Sequence, residues 1–146
     1  MWSSPKTETA KGTLYKIDFS QLNWAENSKV EDRSDYVWTN TQDGRIMLSN
    51  SFCNEFQDQP LEKLALKTFN GIDGIHIDKQ DYTTFQNREA YRLEGKGKVD
   101  GVLVGLKLLN TRRNNCYFDF LAISPMDTAQ ENPQDFDKFL SAVSFK

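Results

Sequence analysis

His76 is the chain's one histidine, and Asp73, Asp78 and Asp81 stand close to it in sequence. Imidazole beside carboxylates is the raw material for a divalent-cation site or for general acid–base work. The spacing argues against both. On a strand His76 and Asp78 share a face, whereas Asp73 and Asp81 fall in flanking loops, and the order of acids matches no EF-hand loop. A lone histidine also excludes sites built on a His pair. A solvated polar face is the better reading, with a small hydrolase or ion-binding protein using His76 and its neighbouring carboxylates as the alternative.

Gly95, Gly97 and Gly101 give G-x-G-x-x-x-G, one residue off the dinucleotide fingerprint. They fall inside a hairpin rather than between a strand and a helix, so packing explains them better than phosphate binding does. No G-x-S-x-G elbow occurs, and the cysteines read as structural rather than activated. Carboxylate pairs such as Asp35 with Glu31 or Asp119 with Glu94 could serve a glycosidase scheme. A chain with 27% charged residues supplies such pairs freely. Asp119 stands apart because it lies between Phe118 and Phe120 in an apolar run, and if its face is buried it must have a partner. Tyr36, Trp38 and Tyr117 could line a ligand surface, but large rings at these positions more often build the core. No catalytic residue, cofactor-binding residue or metal ligand emerges, and no cofactor is expected.

Two cysteines, Cys53 and Cys116, suit a single disulfide or two buried thiols. Cys53 lies just past an expected strand and Cys116 opens another, so both can approach the same end of a sheet. The expectation is a bridge, hence an oxidising compartment.

The elements that carry these residues are legible in part. Asp100-Gly101 is a two-residue hairpin turn that sets Val99 opposite Val102, Gly97 opposite Val104, Gly95 opposite Leu106 and Leu93 opposite Leu108 on an apolar side. The other side sets Lys98 against Leu103, Lys96 against Gly105, Glu94 against Lys107 and Arg92 against Leu109. Cys116–Ser124 is apolar on both faces, as expected of a central strand. Upstream, Thr13–Ser20 reads as a strand from the alternation of Tyr15, Ile17 and Phe19, and Leu22 and Trp24 as plugs at one core edge. Asn27–Asp35 reads as a loop. A second hairpin turns at Asp43-Gly44, pairing Thr39 with Leu48 and Trp38 with Ser49. Pro60, Glu62 and the stripe Leu61, Leu64, Ala65, Phe69 predict a helix ended by a left-handed Gly71. A short strand Ile75–Asp78 and a linker Lys79–Arg88 follow. Asn132 as N-cap, Pro133 at the first position, Asp135 in the first turn and the stripe Phe136, Phe139, Leu140, Val143 predict a closing helix. The fold class is therefore α+β: an antiparallel sheet of about six strands, two hairpins plus a meander, with helices packed on its faces.

At 146 residues the chain suits one domain, expected over 13–146 behind a polar lead-in over 1–12. A net charge of −3 and a pI near 5.2 argue against a phosphate-held nucleic-acid partner. Arg112-Arg113 is the one adjacent basic pair and reads as part of a turn. No apolar run reaches the roughly 18 residues of a membrane span. The lead-in has no apolar signal-peptide core, and it suits the tether of an exported lipoprotein whose signal, and lipid anchor, lay upstream, or a tag remnant.

Glu89-Ala90-Tyr91-Arg92-Leu93-Glu94, the turn Val99-Asp100-Gly101-Val102, the strand Cys116-Tyr117-Phe118-Asp119-Phe120 and a closing helix ending in Ser144-Phe145 resemble the PsbP-like fold. That group includes a photosystem accessory protein, a nuclear Ran-binding factor, bacterial lipoproteins and adaptor chaperones of type VI secretion. The resemblance covers about Gly12 to Lys146. It implies an antiparallel sheet with helices on both faces, used for binding rather than catalysis. The acidic Ran-binding start and the photosystem protein's histidine set are both missing here, so neither of those functions carries over. The expectation is a non-enzymatic, monomeric bacterial domain, periplasmic or held at the outer membrane as a lipoprotein, that binds a protein partner. A cytosolic adaptor shielding the apolar helices of a secreted effector is the alternative.

Overall fold

Two adjacent residues with positive φ, Asp100 at 50° and Gly101 at 79°, reverse the chain between its two most regular strands. The computed structural model describes residues 14–18, 24–26, 34–56, 58–126 and 134–146. The elements in chain order are β1 (Tyr15–Ile17), β2 (Ala25–Glu26), β3 (Tyr36–Thr39), β4 (Ile46–Cys53), α1 (Leu61–Thr68), β5 (Asp73–Phe85), β6 (Arg88–Val99), β7 (Val102–Arg113), β8 (Cys116–Pro125), α2 (Asp135–Ser141) and β9 (Val143–Phe145). Strands β2-β3-β4-β8-β7-β6-β5 form one seven-stranded sheet, and β1 and β9 form a separate pair. Every pairing is antiparallel.

The β6–β7 register is the one expected, from Val99 opposite Val102 to Arg92 opposite Leu109. A slip of one residue would turn the apolar set to solvent, and the two-residue turn at Asp100-Gly101 fixes the register further. Strand β8 lies at the centre of the sheet and is buried on both faces. Phe118, Phe120 and Ala122 join one core, and Tyr117 and Leu121 the other.

The two cores have different covers. Helix α1 lays Leu61, Leu64 and Ala65, with Phe69 just beyond its end, on Leu93, Leu106, Leu108 and Tyr117. Each such leucine, fully buried, contributes about 1.5–3 kcal/mol. On the opposite face, Phe136, Phe139 and Leu140 of α2 join Tyr15, Ile17 and Val143 over Trp38, Met47, Phe118 and Phe120. Tyr15 also ties the small pair to the large sheet by a polar contact. Its hydroxyl donates to Asp35 Oδ2 at 2.5 Å and lies 3.0 Å from Ser49 Oγ, while Ser51 Oγ donates to the same carboxylate oxygen at 2.5 Å.

Several expectations need correcting. The strand Ile75–Asp78 and the linker Lys79–Arg88 are one strand of 13 residues, β5, which turns into β6 through Gln86 and Asn87, at φ 49° and 66°. Tyr82, Thr83, Thr84 and Phe85 favour extended backbone. The strand is exposed on both faces, so it carries no alternation to reveal it. The β3–β4 hairpin pairs Thr39 with Ile46 and Trp38 with Met47, two residues from the expected register. Gly44 alone in that turn has positive φ, at 77°, so Asp43-Gly44 is not a two-residue turn. The loop closes instead with Asn40 N–H donating to the Arg45 carbonyl at 2.9 Å. A shift of two residues leaves every side chain on its expected face.

The closing helix stops at Ser141, and Val143 begins a strand rather than extending the helical stripe. Val143, Ser144 and Phe145 alternate in the strand period and pair with Ile17, Lys16 and Tyr15. The first strand is accordingly shorter than expected, and Phe19, Leu22, Glu31, Asn132 and Pro133 lie outside the described residues. Gly71 is not left-handed; α1 ends at Phe69, whose N–H donates to Leu66 O at 3.2 Å, while Asn70 N–H donates to Lys67 O at 3.1 Å.

Candidate functional site

The surface least explained by folding is the outer edge of β5. Eleven of its residues are exposed and two half-buried, and among the described residues β6 is its neighbour on one side alone. Its two faces differ in chemistry. Towards α1, Leu66, Phe69, Ile72, Ile75 and Ile77 line an apolar groove of about 290 Å³ between the helix end and the strand. Farther along that face Tyr82, half exposed at 50%, packs its ring edge-on against Tyr91 at 4.9 Å. Towards α2, the face is charged: Asp78, Glu94, Lys96 and Lys107 line a shallow cleft of about 180 Å³ beside Asp135 and Phe136.

Glycines set the geometry of this edge. Strand β5 slips against β6 between Asp73 and His76 and again between Ile77 and Lys79. At the first slip the His76 carbonyl leans over Gly95, where an added Cβ would come within 2.4 Å of the oxygen. An added Cβ at Gly97 would meet Ile72 Cγ2 at 2.5 Å. Gly95 and Gly97 do sit opposite Leu106 and Val104. The close approach that requires glycine comes from β5 on the other side.

The residues singled out from sequence fall in separate places. His76 Nε2 lies 3.3 Å from Asp78 Oδ1, and Lys96 Nζ lies 3.8 Å from the same oxygen. A cation thus already faces Asp78, and His76 is 67% exposed. Asp73 and Asp81 belong to β5 itself rather than to flanking loops. Among the described residues no three His, Cys, Asp or Glu side chains gather as a metal site. Asp119 and Glu94 lie on opposite faces of the sheet, so they form no carboxylate pair: Asp119 shares the α1 face with Tyr117 and Leu121, and Glu94 pairs through Lys107 with Ala122 on the α2 face. Trp38 and Tyr117 are buried, and Tyr36 stacks on Trp38 at 5.5 Å, so the three rings belong to packing.

Asp119 has no exposed surface and lies in register between Asn50 on β4 and Asn110 on β7. The three make a polar row across the centre of the sheet, beneath α1. Asn110 Nδ2 donates to the Leu61 carbonyl at 2.8 Å and to Tyr117 Oη at 3.1 Å, tying the helix start to the sheet. Burial first, and the Asp119 charge second, push the Tyr117 hydroxyl well above its ordinary pKa. Tyr15 is pushed up likewise, by burial and then by Asp35.

Cys53 and Cys116 stand opposite one another at the last pair of the β4–β8 ladder and are bonded, with Cα atoms 4.0 Å apart. Both are buried at 4% exposure.

Sequence reasoning missed two features here. The groove draws on Leu66 and Ile72, which read as incidental because they lie off the helical stripe and in a turn. Arg45, buried, bridges Asp43 at 2.8 Å and Asp135 at 2.5 Å and so fixes the start of α2 to the β3–β4 loop. That contact spans 90 residues and leaves no local signal.

This arrangement, a single antiparallel sheet with α1 on one face and α2 with the β1–β9 pair on the other, is the PsbP-like fold. Among solved structures the chain is similar to cyanobacterial PsbP (CyanoP) from Synechocystis sp. PCC 6803, at 12% identity and TM-score 0.62 over 90% of this chain and 91% of that one. It is also similar to LpqN, involved in cell envelope biogenesis of Mycobacterium tuberculosis, at 11% identity and TM-score 0.64 over 90% and 83%. PA94 from Pseudomonas aeruginosa, a protein of unknown function, aligns at 8% identity and TM-score 0.55 over 84% and 83%. No protein-family model and no curated protein sequence matches the chain. Among the described residues no helix is long and apolar enough to cross a membrane.

Proposed function

We propose that this protein is a non-catalytic, exported domain of the bacterial envelope that binds a protein partner along β5. The observation that carries the reading is the edge itself: 13 residues of strand, open to solvent, beside a preformed apolar groove. An open strand edge offers main-chain hydrogen bonds to an added strand, and adjacent pockets select its side chains. The buried disulfide supports an oxidising compartment. The likeness to LpqN, a protein of cell envelope biogenesis, agrees with that location. A photo-crosslinking residue at Tyr82 or Ile75 should join one partner in envelope extracts, whereas the same residue at Lys138 on α2 should not. Equal or absent crosslinking at all three positions overturns the reading.

The apolar groove also favours a second reading, a cytosolic adaptor that takes the apolar face of an effector helix between α1 and β5. The two readings share a surface and differ in compartment. Native protein alkylated on lysis should show no free thiol if exported; two free thiols would replace the first reading by the second.

A further inference from the structure

The Arg112-Arg113 pair noted in the sequence does not end in a solvated turn. Both residues close β7 just before Asn114 and Asn115, whose φ angles of 52° and 64° turn the chain into β8 at the disulfide. Arg88, at the start of β6, comes to the same end of the sheet. The three arginines, with Glu55, Asn114 and Asn115, line a cleft of about 330 Å³. That volume is at the lower end of the range for small-ligand pockets.

The charges in this cleft are not balanced. Three arginines and one glutamate line it, a formal +2 among these side chains on a chain whose net charge is −3. Neither Arg88 nor Arg112 forms an ion pair among the described residues, whereas Arg113 lies against the main-chain oxygen of the last residue, Lys146. Their hydrogen bonds go to main chain: Arg112 Nη2 donates to the Phe56 carbonyl at 2.9 Å and Arg113 Nη2 to the main-chain oxygen of Lys146 at 3.0 Å. Arg113 is further held over the Phe145 ring at 5.4 Å. Two of the heads are thus anchored through one nitrogen each, which leaves their other N–H groups for a ligand. The Nε atoms of Arg88, Arg112 and Arg113, and with them one acceptor, Glu55 Oε2, are buried and make no hydrogen bond among the described residues. A buried donor left unmade is costly, and three donors outnumber the one acceptor that Glu55 supplies, so the cleft has room for a further acceptor.

We infer that this cleft binds a phosphoryl oxyanion. A carboxylate has two oxygens and is satisfied by one guanidinium fork, whereas a phosphoryl group has enough oxygens for three guanidiniums at once. The cleft is larger than such a group alone, so the ligand is a phosphomonoester, either a soluble metabolite or a lipid headgroup. The site lies apart from the apolar groove beside β5 and does not depend on the role given to that edge.

The test is calorimetric titration of the full chain with glycerol 3-phosphate, inorganic phosphate, sulfate and acetate, and cosedimentation with phosphatidylcholine vesicles with and without phosphatidic acid. Glycerol 3-phosphate should bind at millimolar concentration or below, and acetate should not. Arg88→Gln should weaken binding about tenfold, the loss of one charge-assisted hydrogen-bonding group. The Arg88 side chain makes no hydrogen bond or ion pair among the described residues, so the variant should keep its melting temperature. Glu55→Gln should tighten binding by removing the one acidic side chain that lines the cleft, and Lys98→Gln, at the far end of β6, should change nothing. Cosedimentation that needs phosphatidic acid and Arg88 identifies a lipid headgroup; binding of the soluble ester alone identifies a metabolite. The inference is overturned if no phosphate probe binds, if acetate binds equally well, or if Arg88→Gln binds as the parent does.

Discussion

Reducing the Cys53–Cys116 bridge should destabilise the protein mainly by freeing its unfolded state. The two residues are 63 apart in sequence. Closing a loop of that length removes about 4 kcal/mol of chain entropy from the unfolded ensemble. The native state should feel little of the change, because the bridge caps a ladder of eight residue pairs already joining β4 to β8. At roughly 3–4 °C per kcal/mol for a chain of this size, the midpoint should fall by on the order of 10 °C or more. Urea unfolding of oxidised protein, compared with the same protein held in a thiol-free reductant, isolates the cross-link. Both thiols then stay in place, whereas Cys→Ser would bury two hydroxyls at positions 4% exposed. The denaturant slope should rise on reduction, since a freed chain exposes more surface. A loss below about 1 kcal/mol with an unchanged slope would refute the reasoning, because the chain-entropy account requires both effects.

Other consequences of the structure are testable with simple variants. Gly95→Ala places a Cβ 2.4 Å from the His76 carbonyl oxygen, so β5 must shift; a loss of about 1–3 kcal/mol in chemical denaturation is expected, and a neutral result would show that the bulge relaxes freely. Asp135→Ala leaves the buried Arg45 with Asp43 alone; because that second carboxylate remains, the loss should be about 2 kcal/mol, below the cost of a fully unpaired buried charge. The pair Arg45→Met with Asp135→Leu should recover most of the loss, and a double variant no better than Asp135→Ala contradicts this. Alkaline pH should unfold the protein through Tyr15 and Tyr117, both held protonated by burial and a neighbouring carboxylate. Their folded pKa values lie above the unfolded value near 10, so the stability they contribute is complete below about pH 10 and is lost as pH rises beyond it. Ultraviolet titration of phenolate should show these two of the five tyrosines ionising together with loss of structure; smooth ionisation before unfolding would count against it.

How legible each part was from sequence follows from where its information lies. The β6–β7 hairpin was readable to the residue, because Asp100-Gly101 fixes the turn and the alternation of Leu93 to Leu108 fixes the face. Its neighbour β5 was not. A strand exposed on both faces has no periodicity to detect, and Gln86-Asn87 turns the chain without the glycine that usually marks such turns. The β3–β4 register failed for a related reason: Asp43 spends its side chain on the N–H and guanidinium of Arg45 rather than adopting the left-handed turn its neighbour suggested. The helical reading of Val143 lost to a pairing with β1, a partner more than 120 residues away that no local pattern could announce. The arginine cleft is harder still, since Glu55 follows β4, Arg88 opens β6 and Arg112 and Arg113 close β7, three places far apart in sequence.

The open edge of β5 raises a physical question that the proposed role must answer. A long flat edge invites uncontrolled pairing between copies. Here two register slips bend the strand, and Asp78, Lys79 and Asp81 place charge along it. Bulges and edge charges are the usual defences against indiscriminate pairing. Gly95 and Gly97 on the covered neighbour are what permit the slips, because any larger residue would collide with the His76 carbonyl or with Ile72. The glycines therefore act at one remove from the surface they shape. An edge that is open yet bent and charged rejects a flat strand and accepts a partner of matching curvature and charge, as a selective docking strand requires.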